Sequence, residues 1–396
     1  MSSDWRVPGF TSTASLRPEA LFGPAEPGTG GPPPERVTRA AGCRVWDEAG
    51  REYVDYVMAL GAVALGYGHP AVNRAAEQAI AAGVVGPLPP PVEEELAEAL
   101  SRHIPWIEAV RFFKTGAEAV AAAVRLARVA TGRELVLGCG YHGWLDWCQG
   151  GGVGGVPAAT RALYAELPFN DAERSRQQIR EAGDGLAVVV VEPVVVEEPR
   201  REWLAVLREE TARVGAVLVF DEIKTAFRLA VGGAGERYGV QPDLVVLGKA
   251  LANGFPLAAV GGRQDLMAGV ARTWISSTLA TEGVALAAAR ATLAVVVSEA
   301  VPAHLHRVGT RLLHGLHRLQ REHAAAVAGV GGVAEMCFLH YASDGVSRAV
   351  ARGCAARGVL FKRTAYNFVS LAHDEATVDR TLDVLDDVLR SAAHQL

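Results

Sequence analysis

Short runs of valine and leucine alternate with helical segments through the central part of the chain, and this alternation limits the possible folds more than any other feature. The runs lie at Glu134–Leu137, Leu186–Val191, Ala216–Phe220 and Leu244–Leu247. The segments between them have helical spacing, as in Ala117–Ala130 and Arg201–Arg213. Short apolar strands separated by helices are typical of a mostly parallel sheet covered on both faces. We therefore predict an α/β fold.

The pattern changes on either side of this central region. A chain of 396 residues exceeds what one simple core usually serves, so we expect a large domain and a smaller one. The expected parts are an extended, proline-rich N-terminal arm (1–35), an N-terminal part of the small domain (36–55), a large domain (56–300) and a C-terminal α+β part of the small domain (301–396). A turn at Glu48–Gly50 between two alternating runs predicts a hairpin in the second part.

Composition excludes several classes of protein. A net charge of −5 gives no electrostatic reason to bind nucleic acid. Five cysteines without a CxxC pair argue against a disulfide framework or a metal site. The apolar runs are short or interrupted by charge, and the first residues contain no apolar signal segment. We therefore expect a cytoplasmic protein without a membrane partner.

Polar side chains follow the predicted strands. Tyr141 and His142 come after the first run, Glu192 after the second, Asp221 after the third and Lys249 after the fourth. The crevice of a parallel sheet opens at the carboxyl ends of its strands, so these groups are expected to meet there. Each group has an alternative interpretation. The Tyr-His pair could belong to a packed turn, the two acids could be strand-end carboxylates in solvent, and the lysine could lie at the surface.

A further motif, Thr115-Gly116-Ala117, follows a strand-like run and opens the helix that ends near Ala130. Backbone N–H groups at a helix N-terminus, together with a threonine hydroxyl, suit a phosphate group. The alternative is an ordinary capping box in which Thr115 pairs with Glu118.

Lysine is scarce, which narrows the chemistry further. Of 39 basic residues only four are lysines, namely Lys114, Lys224, Lys249 and Lys362. Only Lys249 ends a predicted strand beside a glycine, where a Schiff-base amine finds room and partial burial. With an acid for a pyridine nitrogen, a phosphate site and an aromatic ring, the set matches the needs of pyridoxal phosphate (PLP).

Taken in order, the motifs resemble a known family. The series runs Thr-Gly-Ala-Glu-Ala, Tyr-His-Gly, Glu-Pro, Asp-Glu and Gly-Lys, and further matches include Gly66-Tyr-Gly-His-Pro70, Asp221-Glu-Ile-Lys-Thr-Ala-Phe-Arg228 and Tyr238-Gly-Val-Gln-Pro-Asp-Leu244. The chain resembles the class III aminotransferases of PLP fold type I, and within them the glutamate-1-semialdehyde 2,1-aminomutase branch. The resemblance runs from about Val45 to the C-terminus.

The resemblance implies a large domain with a mostly parallel seven-stranded sheet, a smaller α+β domain and a homodimer with its active site at the interface. Lys249 would form the Schiff base and move the proton, and Asp221 would hold the pyridinium nitrogen. Tyr141 would stack on one ring face and Ile223 on the other.

The remaining cofactor contacts are also implied by the resemblance. Gly116 and Ala117 would bind the phosphate through their N–H groups, and Thr278 would reach the phosphate of the neighbouring subunit. His142 and Glu192 complete the expected cofactor site, which needs no metal.

The chain departs from the aminomutase pattern on the substrate side. Leu60 stands where those enzymes have a tryptophan, and the loop after Tyr-His-Gly is reduced to a glycine-rich run at 150–155. An aminomutase must keep its intermediate enclosed, so a short loop favours ordinary transamination. Glu282 and Arg363 are candidate substrate-binding residues, with solvated surface charges as the alternative.

We predict an aminotransferase that moves an amino group from an amine or amino acid to a keto or aldehyde acceptor. Two alternatives stay open at this point. One is a PLP-dependent aminomutase or other isomerase, and the other is a non-catalytic, cofactor-binding homodimer with a regulatory role.

Overall fold

A computed structural model of the chain describes residues 6–24, 33–150 and 153–393. Its strands are β1 Val37–Ala41, β2 Arg44–Asp47, β3 Glu52–Asp55, β4 Ala109–Phe113, β5 Leu135–Cys139, β6 Tyr164–Glu166, β7 Leu186–Val191, β8 Val217–Asp221, β9 Leu244–Leu247, β10 Ala258–Gly262, β11 Val327–Val333, β12 Met336–Tyr341, β13 Val359–Leu360 and β14 Asn367–Phe368.

Helices make up most of the remaining regular structure. They are α1 Pro18–Phe22, α2 Met58–Gly61, α3 Pro70–Ala82, α4 Pro91–His103, α5 Gly116–Thr131, α6 Ala158–Arg161, α7 Ala172–Ala182, α8 Arg201–Val214, α9 Gly233–Tyr238, α10 Gln264–Met267, α11 Gly283–Ser298, α12 Val301–Glu322, α13 Asp344–Ala356 and α14 Glu375–Ala393. Short 3₁₀ turns lie at Ala14–Leu16, Asp146–Cys148, Gly183–Gly185, Lys249–Ala252 and Ala268–Arg272.

The chain divides into two compact units. The first comprises Met1–His69 and Ala303–Leu396, and the second comprises Pro70–Pro302. The second unit contains a seven-stranded sheet in the order β4-β10-β9-β8-β7-β5-β6. β10 runs antiparallel to both of its neighbours, and the other pairs are parallel. The predicted α/β fold with a mostly parallel sheet is confirmed.

Burial explains why these strands are nearly all apolar. Every residue of β7 and β9 is buried, and helix α5 packs its alanine- and valine-rich face against the sheet. A parallel strand that is covered on both faces has no solvent-exposed side chain positions, so alternation with polar residues disappears. The first polar residue therefore marks the strand end in the sequence.

The first unit is α+β, as predicted. It holds a four-stranded sheet in the order β1-β2-β3-β13 and a three-stranded sheet in the order β11-β12-β14. The hairpin predicted around Gly50 is present as the antiparallel pair of β2 and β3. Helices α13 and α14 pack against each other in the same unit.

Residues 56–69 belong to the first unit, whereas the sequence pattern placed them in the large domain. The reason is a set of backbone hydrogen bonds to the C-terminal part of the chain. The N–H of Tyr56 donates to the carbonyl of Leu360 at 3.0 Å, and the N–H of Leu371 donates to the carbonyl of Ala64 at 2.8 Å. Local periodicity carries no information on such distant partners.

The N-terminal segment is more ordered than the extended arm that the prolines predicted. Pro18 occupies the first turn of α1, where its missing N–H costs nothing. Phe22 is buried in a cluster with Val45 and Tyr53, and the Nε of Arg352 donates to the carbonyl of Phe22 at 3.0 Å. Within the described residues of the arm, α1 is thus a packed element, while 25–32 lie outside the described residues.

Among the described residues, no single helix is long and apolar enough to cross a bilayer. The consecutive helices α11 and α12, which are bent by 68° to each other, together have the length and composition of a broken span. The expected cytoplasmic location stays a prediction.

Candidate active site

The four predicted strand-end groups lie at the same edge of the sheet. β5, β7, β8 and β9 are consecutive neighbours, and their register pairs Cys139 with Val191, Val191 with Phe220, and Asp221 with Val246. Tyr141, Glu192, Asp221 and Lys249 follow or end these strands, so the fold brings them to one crevice.

Lys249 has an unusual backbone and an unusual environment. Its φ of 44° lies in the left-handed region, which costs a lysine about 1–3 kcal/mol. The residue is half-buried, and desolvation, followed by the positive charge of Lys224, lowers the pKa of its amine to about 8. A sizeable fraction of the amine is therefore neutral and nucleophilic near neutral pH.

Asp221 is held in place by His142. The Nδ1 of His142 lies 2.8 Å from Oδ2 of Asp221, and both side chains are buried. The backbone N–H of Ile223 donates to Oδ1 at 3.2 Å. A carboxylate with this geometry keeps lone pairs available for a protonated ring nitrogen.

The far side of His142 is closed by an aromatic ring. Trp147 stacks on it, with a centroid distance of 6.3 Å and an interplanar angle of 22°. The Nε2 of His142 and the Nε1 of Trp147 are buried and have no hydrogen-bond partner among the described residues. Such orphaned polar atoms are typical of functional sites in which a water or a ligand completes the network.

The N-terminus of α5 offers two free donors. Thr115 and Glu118 form a complete capping box, which was the alternative interpretation of this motif, and the phosphate contact of Thr115 stays a prediction. Within the described part of the chain, the N–H groups of Gly116 and Ala117 donate to no protein acceptor. These two amides suit an anionic group at the positive end of the helix.

Ile223 and Gly143 bring the other loops close to this helix start. A Cβ on Gly116 would lie 2.6 Å from Cδ1 of Ile223, and a Cβ on Gly143 would lie 2.6 Å from Cβ of Ala117. Gly143 also has a φ of 97°, which favours glycine. The Tyr-His-Gly loop, Ile223 and the phosphate-type motif are therefore close together at the start of α5.

Glu192 joins two parts of the site. One of its oxygens accepts the backbone N–H of Tyr141 at 2.8 Å, and the other lies 3.0 Å from Nζ of Lys224. The Tyr141 ring itself is 70% exposed in the isolated chain. Glu192 thus fixes the backbone that carries the aromatic ring, which is a supporting position.

Two predicted substrate residues have structural partners instead. Glu282 accepts the N–H groups of Val284 and Ala285 as the N-cap of α11, and its Oε1 lies 2.6 Å from Nζ of Lys114. Arg363 lies 2.6 Å from a carboxylate oxygen of Asp344 in the first unit. The alternative of solvated charge is wrong for both, because each side chain is less than one fifth exposed, and their substrate-binding role stays a prediction.

Leu60 lies in an unusual turn of the first unit, whereas Thr278 is an exposed residue of the second unit. Met58, Ala59 and Leu60 all have positive φ, so α2 is a left-handed turn, which L-residues rarely adopt. The buried carboxylate of Asp55 stabilises its start by accepting the N–H groups of Val57 and Met58. Thr278 is exposed in the second unit.

Next to Asp221, Glu222 is fully buried and accepts the N–H groups of Ala234 and Gly235 at 2.8 and 2.7 Å. Burial raises the pKa of Glu222 from 4.5 to about 7. The folded chain then holds this proton more tightly than the unfolded chain. The contribution of the protonated Glu222 carboxyl to the stability of the fold is complete below pH 4.5 and is lost as the pH rises through 7.

We expect this group to remove about 3 kcal/mol of stability between pH 4.5 and 7, since one pKa unit corresponds to 1.36 kcal/mol. The measurement is the free energy of unfolding against pH for the wild type and for Glu222→Gln. The variant should lose this part of the slope, whatever its absolute stability. Equal slopes in the two proteins would contradict the buried, protonated state.

Comparisons with known proteins support the same kind of site as the geometry does. A family model described as aminotransferase class-III matches residues 29–390. The chain belongs to the class-III aminotransferases. The glutamate-1-semialdehyde 2,1-aminomutase of Thermomicrobium roseum is 36% identical to this aminotransferase, with 92% of each chain covered.

Two solved structures are similar to this aminotransferase along nearly the whole chain. The β-phenylalanine aminotransferase of Variovorax paradoxus superposes with a TM-score of 0.86 at 28% identity, covering 98% of this chain and 92% of that one. The PLP internal aldimine form of the FumI protein of Sphingopyxis sp. MTA144 has a TM-score of 0.85 at 27% identity, covering 90% and 89%. The predicted family, fold, aminotransferase activity and PLP cofactor are confirmed.

Sequence reasoning missed two residues of this aminotransferase's site. Lys224 was set aside as an unsuitable lysine, yet it is buried beside Glu192 and acts on Lys249. Its place three residues after the strand-end Asp221 was the signal that could have found it. Trp147 covers His142, and nothing in its sequence neighbourhood indicated that contact.

Proposed function

We propose that this class-III aminotransferase binds PLP covalently through Lys249 and exchanges an amino group between an amine or amino-acid donor and a keto or aldehyde acceptor. The observation that carries the proposal is a half-buried lysine with a depressed pKa at the same sheet edge as the buried Asp221–His142 pair. The residues present fit the cofactor, because an amine, a carboxylate and two free helix amides lie in one crevice.

Each residue has a distinct role in this proposal. When bound, PLP supplies an electron-withdrawing ring that stabilises negative charge on the carbon next to the transferred amine. Asp221 keeps the ring nitrogen protonated, and the buried His142 keeps Asp221 oriented. The N–H groups of Gly116 and Ala117 hold the phosphate. The amine of Lys249 would take and return the proton of the reacting carbon.

The ring faces are covered by side chains from two loops. Ile223 packs from the loop after β8, where it already lies against Gly116 and close to Gly248. Tyr141 would cover the other face, on a backbone that is fixed by Glu192. Contacts on both faces would restrict the reacting groups to one geometry and exclude water from the ring.

We also propose that the active enzyme is a homodimer. Large apolar side chains are exposed in the second unit, with Trp274 at 82%, Leu88 at 79% and Trp144 at 74%. Such exposure is uncommon in a monomer and favours burial by a second copy of the chain. Thr278 lies in the same segment as Trp274 and would bind the phosphate of the neighbouring subunit. Sedimentation equilibrium should give twice the chain mass.

A second candidate function is an isomerase of the aminomutase type. The 36% identity to an aminomutase favours it. Leu60 in place of the expected tryptophan and the short glycine-rich loop at 150–155 favour transamination instead. Gly151 and Gly152 lie outside the described residues, so the argument from the loop depends on its length and composition.

A donor and acceptor screen separates these functions. Purified protein with PLP is mixed with single L-amino acids, ω-amines, amino sugars and glutamate-1-semialdehyde, and cofactor absorbance and products are followed. Release of one equivalent of keto product per site, with no second substrate present, supports transamination. Formation of an isomer of the added compound supports the aminomutase. A protein that binds PLP but converts none of these compounds would contradict both.

A further inference from the structure

We infer that Lys224 and Glu192 form a buried charge pair that controls how much of the Lys249 amine is in its neutral, reactive form. The inference depends on the proposed function only for the role that Lys249 plays. Lys224 is then a positioning residue, since it acts through Lys249 and does not react itself.

The pair is well formed and well shielded. The side chains of Lys224 and Glu192 are 8% and 13% exposed, and Nζ and Oε1 are 3.0 Å apart. The second oxygen of Glu192 is occupied by the N–H of Tyr141. The two charges of a buried, hydrogen-bonded pair are held in place, and they act on their neighbours more strongly than charges in water do.

Chain geometry brings this pair to the same edge of the sheet as Lys249. Ile223 precedes Lys224 and contacts Gly248, because a Cβ on Gly248 would lie only 3.3 Å from Cγ2 of Ile223. Gly248 immediately precedes Lys249. Glu192 and Lys249 come from β7 and β9, which lie on either side of β8.

Four charged groups act on the Lys249 amine. Lys224 and Arg228 lie in the loop that follows β8, Asp221 ends β8, and Glu192 follows β7. After burial, Lys224 has the strongest effect, and it lowers the pKa of Lys249, whereas Glu192 and Asp221 raise it. Like charges in a region of low dielectric repel strongly, so a second ammonium disfavours protonation of the first.

The chemical consequence concerns two steps. The amine must be neutral to attack the cofactor aldehyde, and it must be neutral again to accept the proton of the substrate. The positive charge of Lys224 favours the neutral amine in both cases. A lysine in this position therefore extends the reactive range of Lys249 toward lower pH.

The test measures the reactivity of Lys249 directly and without turnover. Full-length protein that has been freed of cofactor is treated with a limiting amine-reactive ester across a range of pH, and labelling of each lysine is quantified by peptide mass spectrometry. With four lysines in the chain, every labelled peptide has one assignment, and the other lysines are internal references.

In Lys224→Met the labelling rate of Lys249 near pH 7.5 should fall about three- to tenfold, because a rise of one pKa unit reduces the neutral fraction up to tenfold. Lys224→Arg keeps the charge and should retain the wild-type profile. Glu192→Gln should shift the midpoint in the opposite direction, toward lower pH, since it removes a group that stabilises the ammonium.

The opposite signs of the two shifts in the labelling midpoint of Lys249 distinguish charge coupling from structural disruption. Loosening of the pocket would admit water, relieve the desolvation of Lys249 and raise its midpoint in both variants. A shift of equal sign in Lys224→Met and Glu192→Gln would overturn the inference, and so would an unchanged profile in Lys224→Met. If Lys224→Met does not fold, the Glu192→Gln shift decides alone. The labelling result is independent of whether Lys249 binds PLP, so failure of the proposed function would be recognised separately.

Discussion

Lys249→Ala is expected to reduce turnover by more than about 10³-fold, since proton transfer by a positioned group alone contributes about 10²–10⁴. The change removes both the proposed covalent attachment and the proposed proton carrier. PLP should still bind, because the phosphate amides and Asp221 are untouched, but it should bind without a covalent bond. The measurements are the rate of the amine half-reaction in a single turnover and the mass of the protein after borohydride reduction and denaturation.

Lys249→Arg is the matched control for charge. An arginine keeps the positive charge, but its guanidinium does not lose its proton near neutral pH. It should therefore be as inactive as the alanine variant. Retention of more than a tenth of wild-type activity by either variant would contradict the proposed role of Lys249.

Asp221→Asn should reduce turnover by about 10²–10³-fold, the usual cost of removing one preorganised electrostatic group from an active site. The amide has the same shape and still accepts a hydrogen bond from Nδ1 of His142. It carries no negative charge, so it stabilises a protonated ring nitrogen poorly. The single-turnover rate with an active donor is the measurement that shows this loss.

Asp265→Asn is a suitable control for this second prediction. Asp265 is an exposed carboxylate of the same unit and pairs with Arg263 at the surface. Its loss should leave the half-reaction unchanged. An Asp221→Asn protein that reacts within a factor of about three of the wild-type rate would show that the carboxylate charge is not needed. A factor of three corresponds to less than about 1 kcal/mol of barrier, because a tenfold change in rate corresponds to about 1.4 kcal/mol.

The sheet could be predicted because its strands are buried on both faces. The predicted bounds of Leu186–Val191 and Leu244–Leu247 are those of β7 and β9. In such strands the first polar residue ends the apolar run, so Glu192, Asp221 and Lys249 were visible as strand-end groups. The parallel arrangement then placed them at one edge of the sheet without any knowledge of side-chain contacts.

Long-range partners could not be predicted in the same way. The ion pair of Glu282 with Lys114 joins positions 168 residues apart, and neither residue has a local signal for it. The same holds for the membership of 56–69 in the first unit, which depends on hydrogen bonds to residues near 360 and 370. Thr115 matched both a phosphate contact and a capping box, and only the side-chain geometry shows that the capping box is formed.

Lys224 shows a different limit. Its sequence position beside Asp221 was known, but the effect of a charge depends on burial and on its counterion. A lysine in solvent at this position would have little effect on Lys249, because the high dielectric constant of water weakens the interaction between exposed charges. Burial beside Glu192 makes it part of the site.

The central claim is that Lys249, among the four lysines of the chain, carries the cofactor. Borohydride reduction of the PLP-loaded protein converts a lysine–cofactor double bond into a stable amine, and digestion with mass spectrometry then locates it. We predict one modified peptide, which contains Lys249. Modification of Lys114, Lys224 or Lys362 in its place, or PLP binding with no modified lysine, would contradict the claim.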